Sequence, residues 1–337
     1  MILGSLLSAI LGASASPLAT SLNVSADPLS DYLNKPESVY KWENTGATIN
    51  IGLGASTGYV LNVTSQTWLD PTRAHGPYGG AVWTHQVVVI VPKVLKQSKV
   101  AMAYLTGGCN EHPSVPKATD EDILVAATVS ESTGAIAIVV FQLPNCHIVY
   151  PSDPSKKGRS EDAMIAWAWH EFLISGGTNP EWLPRLPMVK AAFQCMRAAA
   201  EFTKTMSTPH TLGGWLVAGA SKRGWTTWMV GAATCVGAHC VEIVAIAPLV
   251  PIVPSLVAEM HRQWMAYGGW TFAFADYLAV NLTSHIDDPV MKKLTDAVDP
   301  MNFYDRLARI PKVAVLSSDD EFMMMDWTNI WCVREFL

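Results

Sequence analysis

The stretch "WLVAGASKRGWTTW", residues 215–228, joins an apolar run to a serine that is followed by two basic residues. The run has the length and composition of a buried strand, and the segment after it has the composition of a helix. In an α/β sheet, ligands bind at the carboxyl ends of the strands. The stretch therefore predicts an α/β fold with Ser221 at the edge of the sheet where ligands bind.

Two interpretations of Ser221 fit these residues. In a nucleophile elbow, small residues flank a serine on a tight strand-to-helix turn, and the next backbone N–H helps to hold an oxyanion. Gly219 and Ala220 precede Ser221, but Gly224 follows at three positions, whereas G-x-S-x-G places a glycine at two. Serine is also a common helix N-cap. The local pattern leaves both interpretations open.

Outward from this stretch, apolar strands alternate with helices. Residues 26–42 form an entry arm, and β-rich segments without intervening helices follow it. The predicted strands are 58–68, 85–92, 99–106, 135–141, 213–220, 241–248 and 312–318, and the main predicted helices are 119–133, 160–175, 187–206 and 221–234. We expect Thr119 to cap the first helix and Pro187 to open the third.

This alternation predicts a mainly parallel sheet that helices cover on both faces, with antiparallel strands at its amino-terminal side. Helical insertions are expected between Ile252 and Arg309. The sequence contains no internal repeat or low-complexity linker, so we expect a single domain over residues 26–337.

Two further segments belong at the same edge of such a sheet. Gly107 and Gly108 directly follow a predicted strand, where an oxyanion loop lies in serine hydrolases of this class. Asp319 and Asp320 end a late strand, after the serine, in the chain order that a Ser…Asp…His triad requires. An ordinary glycine loop and a solvated acidic turn are the alternative interpretations.

Composition excludes several classes of function. Only 15% of the residues are charged and the net charge is -6, so no basic face for nucleic acid is expected. The most apolar segment, 241–260, contains Glu242 and three prolines and is therefore not a membrane span. Neither a cofactor motif nor a metal-ligand spacing is present, so we expect no cofactor and no metal.

The first residues predict secretion. An apolar stretch over residues 2–11 precedes the A-x-A cleavage pattern Ala13-Ser14-Ala15, which indicates a signal peptide over residues 1–15. Cys235 and Cys240 are close enough to pair locally, whereas the sequence does not settle the pairing of the other four cysteines. Those are Cys109, Cys146, Cys195 and Cys332, and N-glycosylation sequons stand at Asn23, Asn62 and Asn281.

Taken together, seven segments resemble the PhoPQ-activated pathogenicity-related protein family of α/β-hydrolase-like secreted proteins. They lie between about Asp27 and about Asp326 and read "WENTG", "YLTGGCNE", "RSEDAMIAWAWHEF", "GASKRGWTTW", "YGGWTFAFADY", "VDPMNFYDRL" and "SSDDEF". The segment "SKRGW" also resembles the elbow of glucuronoyl esterases, in which the glycine likewise follows the serine by three residues.

The resemblance implies a serine hydrolase of the esterase or peptidase type. Ser221 would be the nucleophile, and the backbone N–H of Lys222, with one from the Gly108–Cys109 region, would form the oxyanion hole. Asp320 falls on the aspartate of the family's "S-G-D-E-F-F" segment and would be the acid, with Asp319 as the second choice. The substrate would be a small molecule, a peptide or a carbohydrate ester.

One departure from the family pattern concerns the base. The family places its histidine after the acid, in a segment like "PNADH", and the last residues of this chain contain none. Three explanations stay open: a truncated C-terminus, another histidine as base, or a protein that does not hydrolyse. His112 lies on the predicted oxyanion loop, and His147 and His261 follow or lie near strand ends, but none is singled out. The Lys222 amine is disfavoured as base, because the residue after an elbow serine projects away along the helix.

The competing class is a secreted binding or signalling protein on a hydrolase scaffold. Such a protein would lack complete catalytic machinery and would recognise a cell-surface protein partner. Fold alone does not decide between the two classes.

Overall fold

The computed structural model describes residues 27–76, 80–111, 115–237, 239–250, 254–318 and 320–325. Several residues discussed above lie outside this part of the chain: the signal peptide of residues 1–15, Asn23, His112, Asp319 and Cys332.

The described residues contain a seven-stranded mixed sheet whose order is β1-β2-β3-β5-β4-β6-β7. The four strands β5, β4, β6 and β7 run parallel, and β1, β2 and β3 extend the sheet by antiparallel pairing. The strands are β1 (Lys41–Ile51), β2 (Ser56–Thr67), β3 (Val82–Pro92), β4 (Gln97–Leu105), β5 (Ala135–Val140), β6 (Gly214–Ala220) and β7 (Glu242–Leu249). This order confirms the predicted parallel sheet with antiparallel amino-terminal strands.

Helices cover both faces of the sheet, because its strands carry apolar residues on both sides. The described helices are α1 (Pro28–Asn34), α2 (Glu121–Thr133), α3 (Glu161–Ile174), α4 (Arg185–Thr205), α5 (Lys222–Ala232), α6 (Leu256–Tyr267), α7 (Ala275–Ala279), α8 (Pro289–Val298) and α9 (Tyr304–Leu307). Helix α2 packs on one face, and α3, α4 and α5 pack on the other. The α/β-hydrolase-like class is thereby confirmed.

The segment predicted as the last strand, 312–318, lies beside β7 but forms two isolated bridges and not a strand. Lys312 and Val315 bridge in parallel to Ile246 and Leu249 of β7. The Val315 N–H donates to the Pro248 carbonyl at 3.0 Å. The segment 312–315 therefore continues the sheet beyond β7 and brings the acidic turn to the same edge as Ser221.

Two local predictions are wrong. The N-cap of α2 is Asp120 and not Thr119, because the backbone of Asp120 is still extended. Helix α4 begins at Arg185, so Pro187 is its third residue. The entry arm contains helix α1, in which Pro28 is the first residue and the Asp27 carboxylate accepts the Ser30 N–H at 2.9 Å.

In the described part of the chain, no helix combines the length and the apolar character needed to cross a membrane.

Candidate active site

Ser221 stands on a strained turn between β6 and α5. Its backbone angles are φ 56° and ψ -124°, a combination that costs free energy for any residue with a side chain. The Ser221 N–H donates to the Leu249 carbonyl at 3.0 Å, which ties the turn to the end of β7. Ser221 occupies the N-cap position, but its hydroxyl makes no capping hydrogen bond and contacts no hydrogen-bond partner among the described residues.

Gly219 allows this turn to be tight. A Cβ atom at residue 219 would lie 2.9 Å from the Arg223 Cβ and 3.0 Å from the Leu105 carbonyl oxygen. Real Cβ atoms do not approach other atoms so closely, so a side chain here would push α5 away from β4. The close packing of α5 against β4 therefore favours glycine at residue 219, the first glycine of the predicted elbow.

The first turn of α5 presents N–H donors beside Ser221 that are unpaired within the described part of the chain. Trp225 is the first residue of the helix whose N–H bonds back, to the Ser221 carbonyl at 3.0 Å. The preceding N–H groups, including that of Lys222, are the orphan donors of a helix N-terminus. Such groups favour negative charge, as the oxyanion prediction for Lys222 requires.

The glycine loop after β4 is fixed by the loop after β5. The Gln142 N–H donates to the Gly107 carbonyl at 2.7 Å, and the Asn110 N–H donates to the Cys146 carbonyl at 2.8 Å. A disulfide joins Cys109 to Cys146. The backbone N–H groups of Gly108 and Cys109 make no hydrogen bond within the described residues, so they remain available to a ligand.

Arg223 connects the serine turn to this glycine loop. Its Nε donates to the Leu143 carbonyl at 2.5 Å, and its guanidinium pairs with the Glu161 carboxylate at the start of α3. A Cβ on Gly107 would lie 2.3 Å from an Arg223 nitrogen. The Arg223 side chain therefore passes directly against the backbone of Gly107.

Lys222 lies in the same ion-pair network. Its Nζ is 3.1 Å from Glu161 Oε2 and 2.9 Å from Asp162 Oδ2, so two carboxylates hold the amine away from the serine hydroxyl. Burial raises the pKa of Glu161, but the charges of Arg223 and Lys222 outweigh it, and the net pKa lies below the ordinary value. This geometry agrees with Lys222 contributing its backbone and not its amine.

The buried side chain of Arg185 packs against the first turn of α5 and hydrogen-bonds to it. The Arg185 guanidinium donates to the Lys222 carbonyl and, at 3.0 Å, to the Thr226 hydroxyl. It also lies over the Trp225 ring, 4.3 Å from the centroid. Burial lowers the pKa of Arg185 to about 9. The positive charge of Arg185 thus lies within one helical turn of Ser221.

Asp320 stands at the same edge of the sheet, on the other side of Ser221 from the glycine loop. One of its carboxylate oxygens accepts the N–H groups of Phe322 and Met323, each at 2.9 Å. Burial raises the pKa of Asp320 above the ordinary aspartate value. Two strand spacings, about 10 Å, separate β6 from the segment that leads to Asp320.

None of the eight histidines in the described residues hydrogen-bonds to Ser221 or Asp320. His147 lies 3.2 Å from a Glu111 oxygen, and His261 pairs with Asp287 at 2.7 Å. His85 is buried against Ser65 and the Phe141 carbonyl. The other described histidines are His75, His170, His210, His239 and His285.

The residues that sequence analysis missed are the partners of the two basic residues: Glu161, Asp162 and Arg185. The sequence does contain a pattern that indicates Glu161 and Asp162 as partners. Lys222 and Arg223 follow a buried strand, and buried cations need carboxylates. The pair Glu161-Asp162 opens a predicted helix in "RSEDAMI". Sequence alone could not show that these two segments meet.

Two of the predicted disulfide cysteines pair as expected. Cys235 bonds to Cys240, and Cys109 bonds to Cys146, which the sequence had left unassigned. Cys195 is a free, buried thiol on α4. Cys235, His239 and Cys240 lie together, but the disulfide occupies both sulfurs, so this cluster is no metal site in the oxidised protein.

Comparisons with known proteins agree with the sequence resemblance. The model of the PhoPQ-activated pathogenicity-related protein family matches residues 29–333. Autocrine proliferation repressor protein A of Dictyostelium discoideum is 36% identical over 321 residues, which cover 93% of this chain and 60% of that protein. The chain thus spans about three fifths of the length of this relative.

Solved structures with similar folds are much more distant in sequence. Acetyl xylan esterase 1 from Thermoanaerobacterium sp. JW/SL YS485 is 12% identical, with 94% of each chain covered and a TM-score of 0.47. The acetyl xylan esterase from Paenibacillus sp. R4 is also 12% identical, with 91% of this chain and 90% of that chain covered and a TM-score of 0.45.

Proposed function

The chain belongs to the PhoPQ-activated pathogenicity-related protein family, and we propose that it is a serine hydrolase of the esterase or peptidase type whose nucleophile is Ser221. The observation that carries this proposal is the strained backbone of Ser221 together with a hydroxyl that has no hydrogen-bond partner among the described residues. Backbone strain of this kind is kept where it serves a function.

In the proposed reaction, the Ser221 hydroxyl attacks the carbonyl carbon of an ester or amide, and its proton passes to a base. The resulting oxyanion accepts hydrogen bonds from the backbone N–H of Lys222 and from Gly108 or Cys109. The bond to the leaving group then breaks, the base returns the proton to it, and water later releases the acyl group from the serine. Losing one oxyanion donor typically costs about 10² to 10³ in turnover.

A serine hydroxyl needs an adjacent base to be a good nucleophile. Asp320 supplies the acid that would orient an imidazole, and no described histidine lies between it and Ser221. The proposed mechanism therefore requires a base from outside the described residues.

A serine-directed fluorophosphonate probe tests the proposal. We expect the wild-type protein to be labelled, mass spectrometry to place the label on Ser221, and Ser221→Ala to reduce labelling to background. Ser132→Ala, at an exposed serine near the end of α2, is the control. Labelling that persists at full rate in Ser221→Ala would contradict the assignment.

Secretion is part of the proposal. It rests on the predicted signal peptide over residues 1–15 and on two disulfides, which persist in oxidising compartments. Secretion from cells with cleavage after Ala15, read by N-terminal sequencing of the medium fraction, is the expected result.

A second candidate function has its own supporting observation. The relative from Dictyostelium discoideum is named an autocrine proliferation repressor protein. A binding or signalling protein with a cell-surface partner would keep the fold without needing Ser221. For that function, Ser221→Ala protein should bind cells as well as the wild type does.

A further inference from the structure

A cavity of about 410 Å³ opens at the same edge of the sheet as Ser221, but at the side of the antiparallel strands. The start of β1, the end of β2 and the start of β3 meet there, because these strands alternate in direction. The segments after β4 and β5 complete the wall with Asn110 and Gln142. We propose that this cavity binds a neutral saccharide.

The polar groups of the cavity match those of a sugar. Each carboxamide offers both donors and acceptors, and each threonine hydroxyl offers both as well. Sugar hydroxyls also donate and accept, so the exposed Asn62 and the half-buried Thr64 can pair with ring substituents. Asn110 and Gln142 are already hydrogen-bonded to Thr84 and Gln86 within the wall. The carboxamides and hydroxyls that line the cavity are those of Asn62, Thr64, Thr84, Gln86, Asn110 and Gln142.

The charges of the lining favour a neutral ligand. Lys41 and Glu43 contribute one cation and one anion, and the Glu43 carboxylate accepts a hydrogen bond from the Asn62 amide at 3.0 Å. His85 also lines the cavity, and burial lowers its pKa to about 4, so its ring is uncharged at neutral pH. An anion such as phosphate would meet a single lysine and an opposing carboxylate.

Buried carboxamides hold the wall in one arrangement. Asn110, Gln142 and Asn145 are 9%, 5% and 4% exposed. Asn145 accepts the Thr84 N–H at 2.8 Å, Gln142 accepts the Gln86 N–H at 2.7 Å, and Asn110 donates to the Thr84 carbonyl at 2.9 Å. Buried amides are costly unless they are paired, and a fully paired network is rigid. The start of β3 is therefore fixed before any ligand arrives.

The cavity is connected to the candidate active site through the glycine loop. Asn110 follows Gly107 by three residues, and Gln142 donates its backbone N–H to Gly107. Three strand spacings, about 14 Å, separate β3 from β6. An oligosaccharide spans that distance, and a single sugar ring does not. That the saccharide belongs to an ester substrate rests on the proposed function, whereas its binding does not.

The test is calorimetric titration of Ser221→Ala protein with xylotetraose, cellotetraose and mannotetraose. The protein is produced without N-glycans, because a glycan on the sequon at Asn62 would fill the cavity. We expect at least one of the three tetrasaccharides to bind, and Thr64→Val and Asn62→Ala to weaken that binding at least tenfold. Thr57→Val, an exposed threonine at the opposite end of β2, is the matched control and should bind as before.

Two results would overturn the proposal: none of the three tetrasaccharides binds, or binding is the same in Thr64→Val and Asn62→Ala as in the parent. Thermal unfolding by circular dichroism confirms that each variant is folded. The binding test does not depend on Ser221, because the tested protein carries Ser221→Ala. If the saccharide binds but the wild-type protein is not labelled by the fluorophosphonate, the hydrolase proposal is wrong and the saccharide proposal is retained.

Discussion

Ser65 and Ser221 lie in contrasting environments. Ser65 lies near the end of β2, is fully buried, and donates its hydroxyl to His85 Nε2 at 2.9 Å, while His85 Nδ1 lies 3.1 Å from the Phe141 carbonyl. Ser221 lies on a strained turn at the edge of the sheet, partly exposed, and no histidine among the described residues contacts it. Ser65 has an imidazole as its hydrogen-bond partner, whereas Ser221 lies at the sheet edge where ligands bind in α/β folds.

The comparison shows that a serine–histidine hydrogen bond does not by itself identify a catalytic serine. A serine–histidine hydrogen bond also satisfies buried polar groups in a core, since the carbonyl of Phe141 fixes the tautomer that accepts from Ser65. The Ser65 hydroxyl is reached by no substrate. At Ser221, backbone strain coincides with a hydroxyl and helix N-terminal N–H groups that have no hydrogen-bond partner among the described residues.

The largest expected effect concerns Arg223, which joins the serine turn to the glycine loop. We expect Arg223→Ala to slow fluorophosphonate labelling of Ser221 by about 10- to 100-fold, because a misplacement of about 1 Å can cost a reaction about 10²-fold. Arg197→Ala, which breaks the Arg197–Glu201 pair on α4, is the control and should not slow labelling. An unchanged labelling rate in a folded Arg223→Ala protein would show that Ser221 is positioned without this link.

The second prediction concerns the pH dependence that His85 imposes. Its pKa is lowered from 6.5 to about 4 by burial. The unfolded chain therefore binds a proton that the folded protein does not, and the stabilisation present above pH 6.5 is lost as the pH falls toward 4. The loss is on the order of 3 kcal/mol at most.

Urea unfolding at pH 7 and pH 5 measures this effect. His85→Gln removes the titrating ring, so the stability of that variant should fall less between the two pH values than that of the wild type. Equal losses in the two proteins would mean that other groups control the acid response.

The third prediction concerns Gly107. Gly107→Ala places a Cβ 2.3 Å from an Arg223 nitrogen, so the arginine or the loop must move. We expect a loss of about 1 to 3 kcal/mol in the free energy of unfolding, together with slower labelling of Ser221. Gly213→Ala is the control, since its Cβ would meet a backbone oxygen at an ordinary 3.6 Å. Chemical denaturation of both variants gives the comparison, and equal stability of the two would contradict the clash.

The smallest expected effect on reactivity is that of Ser65→Ala. It leaves His85 Nε2 without its partner, which costs about 1 to 3 kcal/mol of stability, but labelling of Ser221 should proceed at the wild-type rate. Thermal unfolding and the fluorophosphonate assay on the same sample separate the two quantities. Loss of labelling in a folded Ser65→Ala protein would connect the two regions that we describe as independent.

From sequence patterns alone, the fold class and the sheet edge that carries the candidate site could be predicted. Alternation of apolar strands and helices predicts the parallel sheet, and the carboxyl ends of β4, β6 and the segment 312–315 carry Gly107, Ser221 and Asp320 at one edge. These predictions succeed because strand direction and period are local properties of the chain. The local errors at Thr119 and Pro187 are shifts of one or two residues at helix ends, where several residues can begin a helix.

Tertiary structure decided the rest. Glu161 and Arg223 are 62 residues apart, Ser65 and His85 are 20 apart, and Cys109 and Cys146 are 37 apart. No periodic pattern links such pairs, because their meeting depends on the order in which strands join the sheet. The cavity beside β3 has the same origin, since its wall combines side chains from three strands and two loops that only the finished sheet brings together.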